Sequence, residues 1–193
     1  FCIGNMDNHG IQVPYGDTGS WLCWISERVC LNIIALATGN QDARWANDYK
    51  LKMRRHKPPI GDYYQPLKPG DKAPKSFDGV RKFPLIEGFY NTFNAGNWRP
   101  ELNDCVDKIT FREALEPNAL FLLLDGVTTG GHKHDDGNSI PRLSQFDRIW
   151  LADNDYFKAP LKYHNSLSVL ANGESARLPD YVQCVLVDEN SSC

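Results

Sequence analysis

The chain has 193 residues, 41% of them apolar and 23% charged, with a formal net charge of −3. That balance suits a globular protein with a real core and excludes a disordered chain. A slightly acidic chain with scattered Lys and Arg argues against nucleic acid and anionic membrane as partners, and no apolar run approaches the roughly 20 residues that cross a bilayer.

The first residue is Phe1, with neither an initiator methionine nor a charged-then-apolar signal pattern, and the last is Cys193, just after a strand-like run. An internal piece of a longer protein is therefore expected. The first predicted element is a helix from Ser20 to Leu36. Asp17, Thr18 or Ser20 can cap its start, and Gly39 stands where a left-handed C-terminal residue belongs. It is apolar around most of its circumference, which predicts burial among other helices. A more polar helix, about Gln41 to Arg54, is expected to pack on it as a helical hairpin.

Residues 57–76 carry Pro58, Pro59, Pro66, Pro69 and Pro74 with Gly61 and Gly70, the composition of a linker. Beyond it the pattern changes. Segments 106–112, 119–125, 147–153, 164–171 and 181–187 are short, apolar or β-branched, and separated by Gly, Asn or Pro. Such spacing predicts an antiparallel sandwich. The reading is α+β in three parts: the end of an all-helical domain at 1–56, a linker at 57–78, and the start of a β-sandwich at 79–193. No internal repeat stands out.

The six cysteines form no C-x-x-C pair. Cys23 and Cys30 lie about 10 Å apart by helix rise, too far for a bridge. Buried free thiols are expected.

The chemistry concentrates in histidines. His132 and His134 sit one residue apart, and on an extended strand both would face one pocket while Lys133 points away. The run Ala119–Leu124 reads as a buried strand leading to Gly130 and Gly131, where glycine permits close backbone approach. Arg148–Ala152 reads as a second buried strand that ends at Asp153, a carboxylate that needs a partner if buried. The run from Tyr163 to Leu170 alternates, so His164, Ser166 and Ser168 share a polar face, and Tyr163 packs with Leu167 and Val169 on the other. Zinc takes three protein ligands in reactive sites, and His134, Asp153 and His164 suit it. Asp155 shares the parity of Asp153 and is the alternative ligand. A hydrogen-bonded polar patch without metal would account for the same spacing.

Three stretches carry a resemblance. They are Gly131-His132-Lys133-His134-Asp135-Asp136-Gly137-Asn138-Ser139-Ile140, then Arg148-Ile149-Trp150-Leu151-Ala152-Asp153, then Tyr163-His164-Asn165. Together they resemble the heparinase II/III-like polysaccharide lyase family. The family pattern is roughly Gly-His-x-His-x-Asp-x-Asn-Ser, a strand ending in Val-Asp-Pro-Gly, and His-Asn-Thr-Val. Pro14-Tyr15-Gly16-Asp17 resembles the late part of that family's helical toroid, and Asp107–Arg112 the opening of its sandwich. This chain departs from the pattern with Asp153-Asn154-Asp155 in place of Asp-Pro-Gly and with Ser166 in place of Thr.

The resemblance implies the C-terminal part of an (α/α) toroid followed by an antiparallel β-sandwich. It implies metal ligation by His134, Asp153 and His164, with Zn2+ as the ion or another divalent metal such as Mn2+ or Ca2+. It implies a periplasmic or secreted parent and an acidic, uronate-containing polysaccharide as substrate, glycosaminoglycan or alginate. His132 is the implied catalytic residue next to substrate. Such lyases remove the C5 proton of a uronate with a base and protonate the departing O4 oxygen with an acid, after the carboxylate has been neutralised.

A tyrosine that shares these transfers in the family belongs to a toroid segment this chain lacks, so the isolated segment is expected to be inactive without the remainder of the parent polypeptide. Tyr156 is the local candidate for assistance. His9 can line the cleft from the helical side, Trp98 can stack on a sugar, and Asn138 is a further substrate-binding candidate. The metal is expected to hold strands and orient His132. Two other readings are a uronate C5-epimerase of the same fold and a non-catalytic, metal-stabilised carbohydrate-binding module.

Overall fold

The computed structural model describes residues 3–13, 24–54, 66–92, 100–127, 134–153, 160–167, 170–175 and 181–184. Helix α1 (Trp24–Thr38) and helix α2 (Gln41–Arg54) form the expected hairpin. Gly39 closes α1 with φ +67, a left-handed conformation that glycine adopts without strain. Its N–H bonds the Ala35 carbonyl at 2.9 Å. Asn40 then caps α2, its Oδ1 accepting from the Ala43 N–H at 2.8 Å.

The helices meet along Leu31, Asn32 and Ala35 on one side and Ala43, Ala46 and Asn47 on the other, all buried. Asn32 and Asn47 exchange side-chain amide bonds at 3.4 and 3.1 Å. The expected burial of α1 on all sides does not hold: Val29, Ile33, Ile34 and Leu36 are exposed. One helical neighbour covers only one face.

Of the linker, residues 66–76 are described. They run as loop into a 3-10 turn at Lys75–Phe77, and residues 57–65 lie outside the described residues. Asp71 in this loop anchors to α2, its carboxylate taking Arg44 Nε at 2.9 Å and Nη2 at 3.0 Å. Arg44 holds the Asp71 carboxyl down at about 2.

Strand β1 (Gly79–Pro84) and helix α3 (Glu87–Thr92) precede β2 (Cys105–Arg112), β3 (Phe121–Asp125), β4 (Arg142–Gln145) and β5 (Arg148–Ala152). They form one antiparallel sheet in the order β1-β2-β3-β4-β5. A ribbon of β6 (Leu170–Ala171) and β7 (Glu174–Ser175) stands apart, and β8 (Val182–Gln183) pairs with the start of β2. Strands β3 and β8 thus share successive halves of one β2 edge. Gly126 lies at their junction, where a Cβ would stand 2.1 Å from the Val106 carbonyl oxygen. The β4–β5 turn places Phe146 and Asp147 at φ 57 and 58, the twist a two-residue hairpin loop requires.

Expectation and structure agree on α+β with an antiparallel sheet. They differ in detail. Strands β1, β4 and β7 are additions to the predicted set. Strand β5 is exposed along almost its whole length because it forms the sheet edge, whereas a buried strand was predicted. Within 164–171 only Leu170–Ala171 is strand, with a single bridge at Ser166. In 181–187 residues 181–184 are described, of which Val182–Gln183 is β8, and residues 185–187 lie outside the described residues. Among the described cysteines Cys105 is buried, Cys30 exposed and Cys184 half-buried.

Residues 3–13 tie the helices to the sheet. Ile3 and Met6 share a core with Leu31, Ala35, Ala43, Ala46 and Leu115. The Arg112 guanidinium reaches back from β2 to the carbonyls of Gly4 and Met6 and to Asn8 Oδ1. It also lies over the Phe121 ring at 4.3 Å, and burial pushes its pKa down to about 10. Tyr49 of α2 donates to the Asn8 carbonyl at 2.7 Å.

Candidate metal centre

Three loops meet beyond the ends of β3 and β5. The turn 136–139 follows from Asn138, whose φ of 58 reverses the chain; Asn tolerates that conformation better than most residues. The Ser139 N–H closes the turn on the Asp136 carbonyl at 3.1 Å. Asp153 immediately follows β5, its N–H bonded to the Pro141 carbonyl at 2.8 Å. His164 caps a 3-10 turn at Leu161–Tyr163.

Asn165 stitches these pieces together. Its side-chain amide donates to the carbonyls of Ala152 at 3.1 Å and Ile140 at 3.3 Å. Its own carbonyl accepts from the Ile140 N–H at 3.0 Å, and Ser139 bridges Ser166 alongside.

As a result Asp136, Asp153 and His164, all buried, present ligand atoms within 4.8 Å of one another. His164 Nδ1 stands 2.7 Å from Asp153 Oδ1. His134 is buried next to the cluster, its ring edge-on to His164 with centroids 5.8 Å apart. Behind the turn lie the buried Asp125 and Lys108, paired at 2.8 Å. Burial, reinforced by Asp136 and opposed by Lys108, pushes the Asp125 carboxyl up to about 7.

The donor set of two carboxylates and one imidazole fits a divalent cation. Burial supports that fit, because neighbouring carboxylates withdrawn from water repel one another unless a positive charge stands between them.

Comparison with protein-family models, with curated proteins and with solved structures returns no match. The reading of this site therefore rests on its own geometry and on the sequence motif.

Of the expected ligands, Asp153 and His164 come together with Asp136, while His134 stands beside the group. Asp136 escaped the sequence reading, although its signal was present: it sits two residues beyond His134 within the quoted motif. His164 was expected on a polar strand face. It follows a 3-10 turn instead, and its side chain is fully buried. Tyr163, expected to pack, is exposed with Lys162 Nζ 5.0 Å from its ring centre. His132, Tyr156, Trp98 and Asp155 lie outside the described residues.

His9 is placed elsewhere. Its Nε2 meets Asp147 Oδ1 at 3.2 Å in the β4–β5 turn, at the other end of β5 from Asp153, about 20 Å away by strand rise. Asn138 is exposed and lines a cleft of about 400 Å³ with Val106, Ile109, Leu124, Val182 and Gln183.

Proposed function

We propose that this chain supplies the metal-supported face of a polysaccharide lyase that cleaves a uronate-containing polysaccharide by β-elimination. One observation carries the reading. The stretches 131–140, 148–153 and 163–165 bear the lyase-like motif, and although separate in sequence they bring Asp136, Asp153 and His164 into one buried cluster.

In this reading Asp136, Asp153 and His164 hold a divalent cation, with His134 packed against His164. When bound, the cation supplies the positive charge that keeps the three loops together. Burial of all three residues favours this supporting role over direct contact with substrate. His132, two residues before His134, then meets the polysaccharide. It takes the C5 proton of the uronate or delivers a proton to the departing O4 oxygen. The C5–H electrons form the C4–C5 double bond while the C4–O4 bond breaks, so the products are an unsaturated uronate and a free hydroxyl. Tyr156 stands in the connection between two of the cluster residues and is placed in sequence to share the transfer.

The test is release of product absorbing in the ultraviolet when the parent protein is incubated with uronate polysaccharides. Product from wild type and none from His132→Ala supports the reading. Deuterium uptake at C5 from heavy water without absorbing product identifies an epimerase instead. Sugar affinity with neither signal identifies a binding module.

A further inference from the structure

We infer that Lys108 is a positioning residue for the candidate metal centre: held between Asp107 and Asp125, its ammonium fixes the turn that carries Asp136. The inference rests on the metal reading above.

Lys108 lies on β2 directly opposite Asp125 at the end of β3. Its side chain is 2% exposed, a rare place for lysine unless it is paired. Its Nζ donates to Asp107 Oδ1 at 2.7 Å, to the Asp107 carbonyl at 3.1 Å and to Asp125 Oδ1 at 2.8 Å.

Asp125 carries the restraint onward. Its Oδ1 also accepts from the Val127 N–H at 3.0 Å. Its backbone clasps the turn on both sides: its carbonyl takes the Asn138 N–H at 2.7 Å and its N–H donates to the Ser139 carbonyl at 3.0 Å. Ser139 in turn bonds the Asp136 carbonyl. The path runs from ammonium to carboxylate to peptide to turn, with little slack, because Gly126 is pressed against the Val106 carbonyl.

Electrostatics point the same way. Asp125 and Asp136 repel each other inside the protein, and Lys108 is the cation bonded to Asp125. A well-packed apolar pair would join β2 to β3 at least as firmly as a buried ion pair. Joining strands therefore does not account for this pair, whereas setting the Asp136 turn does.

The experiment uses Co2+ as the probe, whose visible absorption reports ligand geometry, on the full chain. The double variant Lys108→Met/Asp125→Leu replaces the ion pair with an apolar one. It is expected to unfold cooperatively near the wild-type Tm, yet to bind Co2+ at least tenfold more weakly and with a changed absorption spectrum. Wild-type affinity and spectrum in that variant overturn the inference and leave Lys108 a sheet stabiliser. If the double variant does not fold, Lys108→Arg decides, since it keeps the charge but moves the donors. A changed Co2+ spectrum at unchanged Tm supports positioning, and an unchanged spectrum overturns it. Wild-type protein that takes up no Co2+ overturns the metal reading itself and this inference with it, an outcome distinct from the others.

Discussion

His164 Nδ1 and Asp153 Oδ1 stand 2.7 Å apart with side-chain exposures of 0% and 2%, although one residue ends an edge strand and the other follows a 3-10 turn. Two polar groups this well buried stabilise the fold only as partners. A variant that removes one of them strands the other. His164→Ala is expected to lower unfolding stability by about 1–3 kcal/mol, the usual cost of a buried group left unsatisfied. Urea denaturation of both proteins in the presence of chelator measures it.

Metal linkage follows from the same cluster. A site formed only in the folded state raises stability by mass action. Added Zn2+ or Mn2+ is expected to raise the Tm of wild type, and chelator to reverse the gain. Asp136→Asn and Asp153→Asn are each expected to shrink that shift. A Tm that ignores both metals, measured by scanning calorimetry, counts against the site.

The Arg44–Asp71 pair makes a separate statement about pH. The Asp71 carboxyl lies at about 2 in the folded chain against an ordinary 3.8. A depressed carboxylate adds stability that is complete above its unfolded pKa and disappears as pH falls through the folded value. Between pH 4 and pH 2 wild type is therefore expected to lose more stability than Asp71→Asn, which lacks the group. Acid titration of the two unfolding midpoints checks the difference. Parallel curves rule out the contribution.

Arg112 joins the N-terminal segment to the sheet through two carbonyls and Asn8. Truncation to Met keeps much of the length but leaves those buried acceptors without the guanidinium. Arg112→Met is expected to cost about 3 kcal/mol, at the upper end for hydrogen bonds to a charged group. Hydrogen exchange should show faster opening of residues 3–13 than of β3. Uniform acceleration across the chain would falsify that local role.

Gly126 tests the junction of β3, β8 and β2. An alanine Cβ would meet a backbone oxygen that cannot rotate away. Gly126→Ala is expected to destabilise by about 1–3 kcal/mol, the range for forced overpacking, and to weaken metal uptake because residue 126 adjoins the Asp125 clasp. A thermal unfolding curve and a Zn2+ titration of the same sample give both readings.

Much of the local structure was legible in the residues. Gly39 ends α1 where the left-handed residue is expected, and α2 runs over the predicted Gln41–Arg54. The continuous apolar run Ala119–Leu124 marks β3, in which the structure buries Phe121, Leu123 and Asp125 most deeply. Strand β1 was not legible, because Arg81, Lys82 and Pro84 interrupt its apolar pattern and it is held by pairing along β2. The alternation after Tyr163 was legible but misleading: its polar parity resembles a strand, while Asn165 ties the segment to the Ile140 carbonyl ahead of β4 and to the Ala152 carbonyl at the end of β5.

The sequence by itself put forward His132, His134, Asp153 and His164 as candidates for the chemistry, since a motif is a property of the chain. It also determined the α+β class, because local propensity and periodicity act over a few residues. Only the tertiary structure decided that Asp136 joins Asp153 and His164 while His134 stands beside them, and that His9 lies at the far end of β5. Those outcomes depend on hydrogen bonds between loops distant in sequence, and on Lys108 opposite Asp125, which no local pattern encodes.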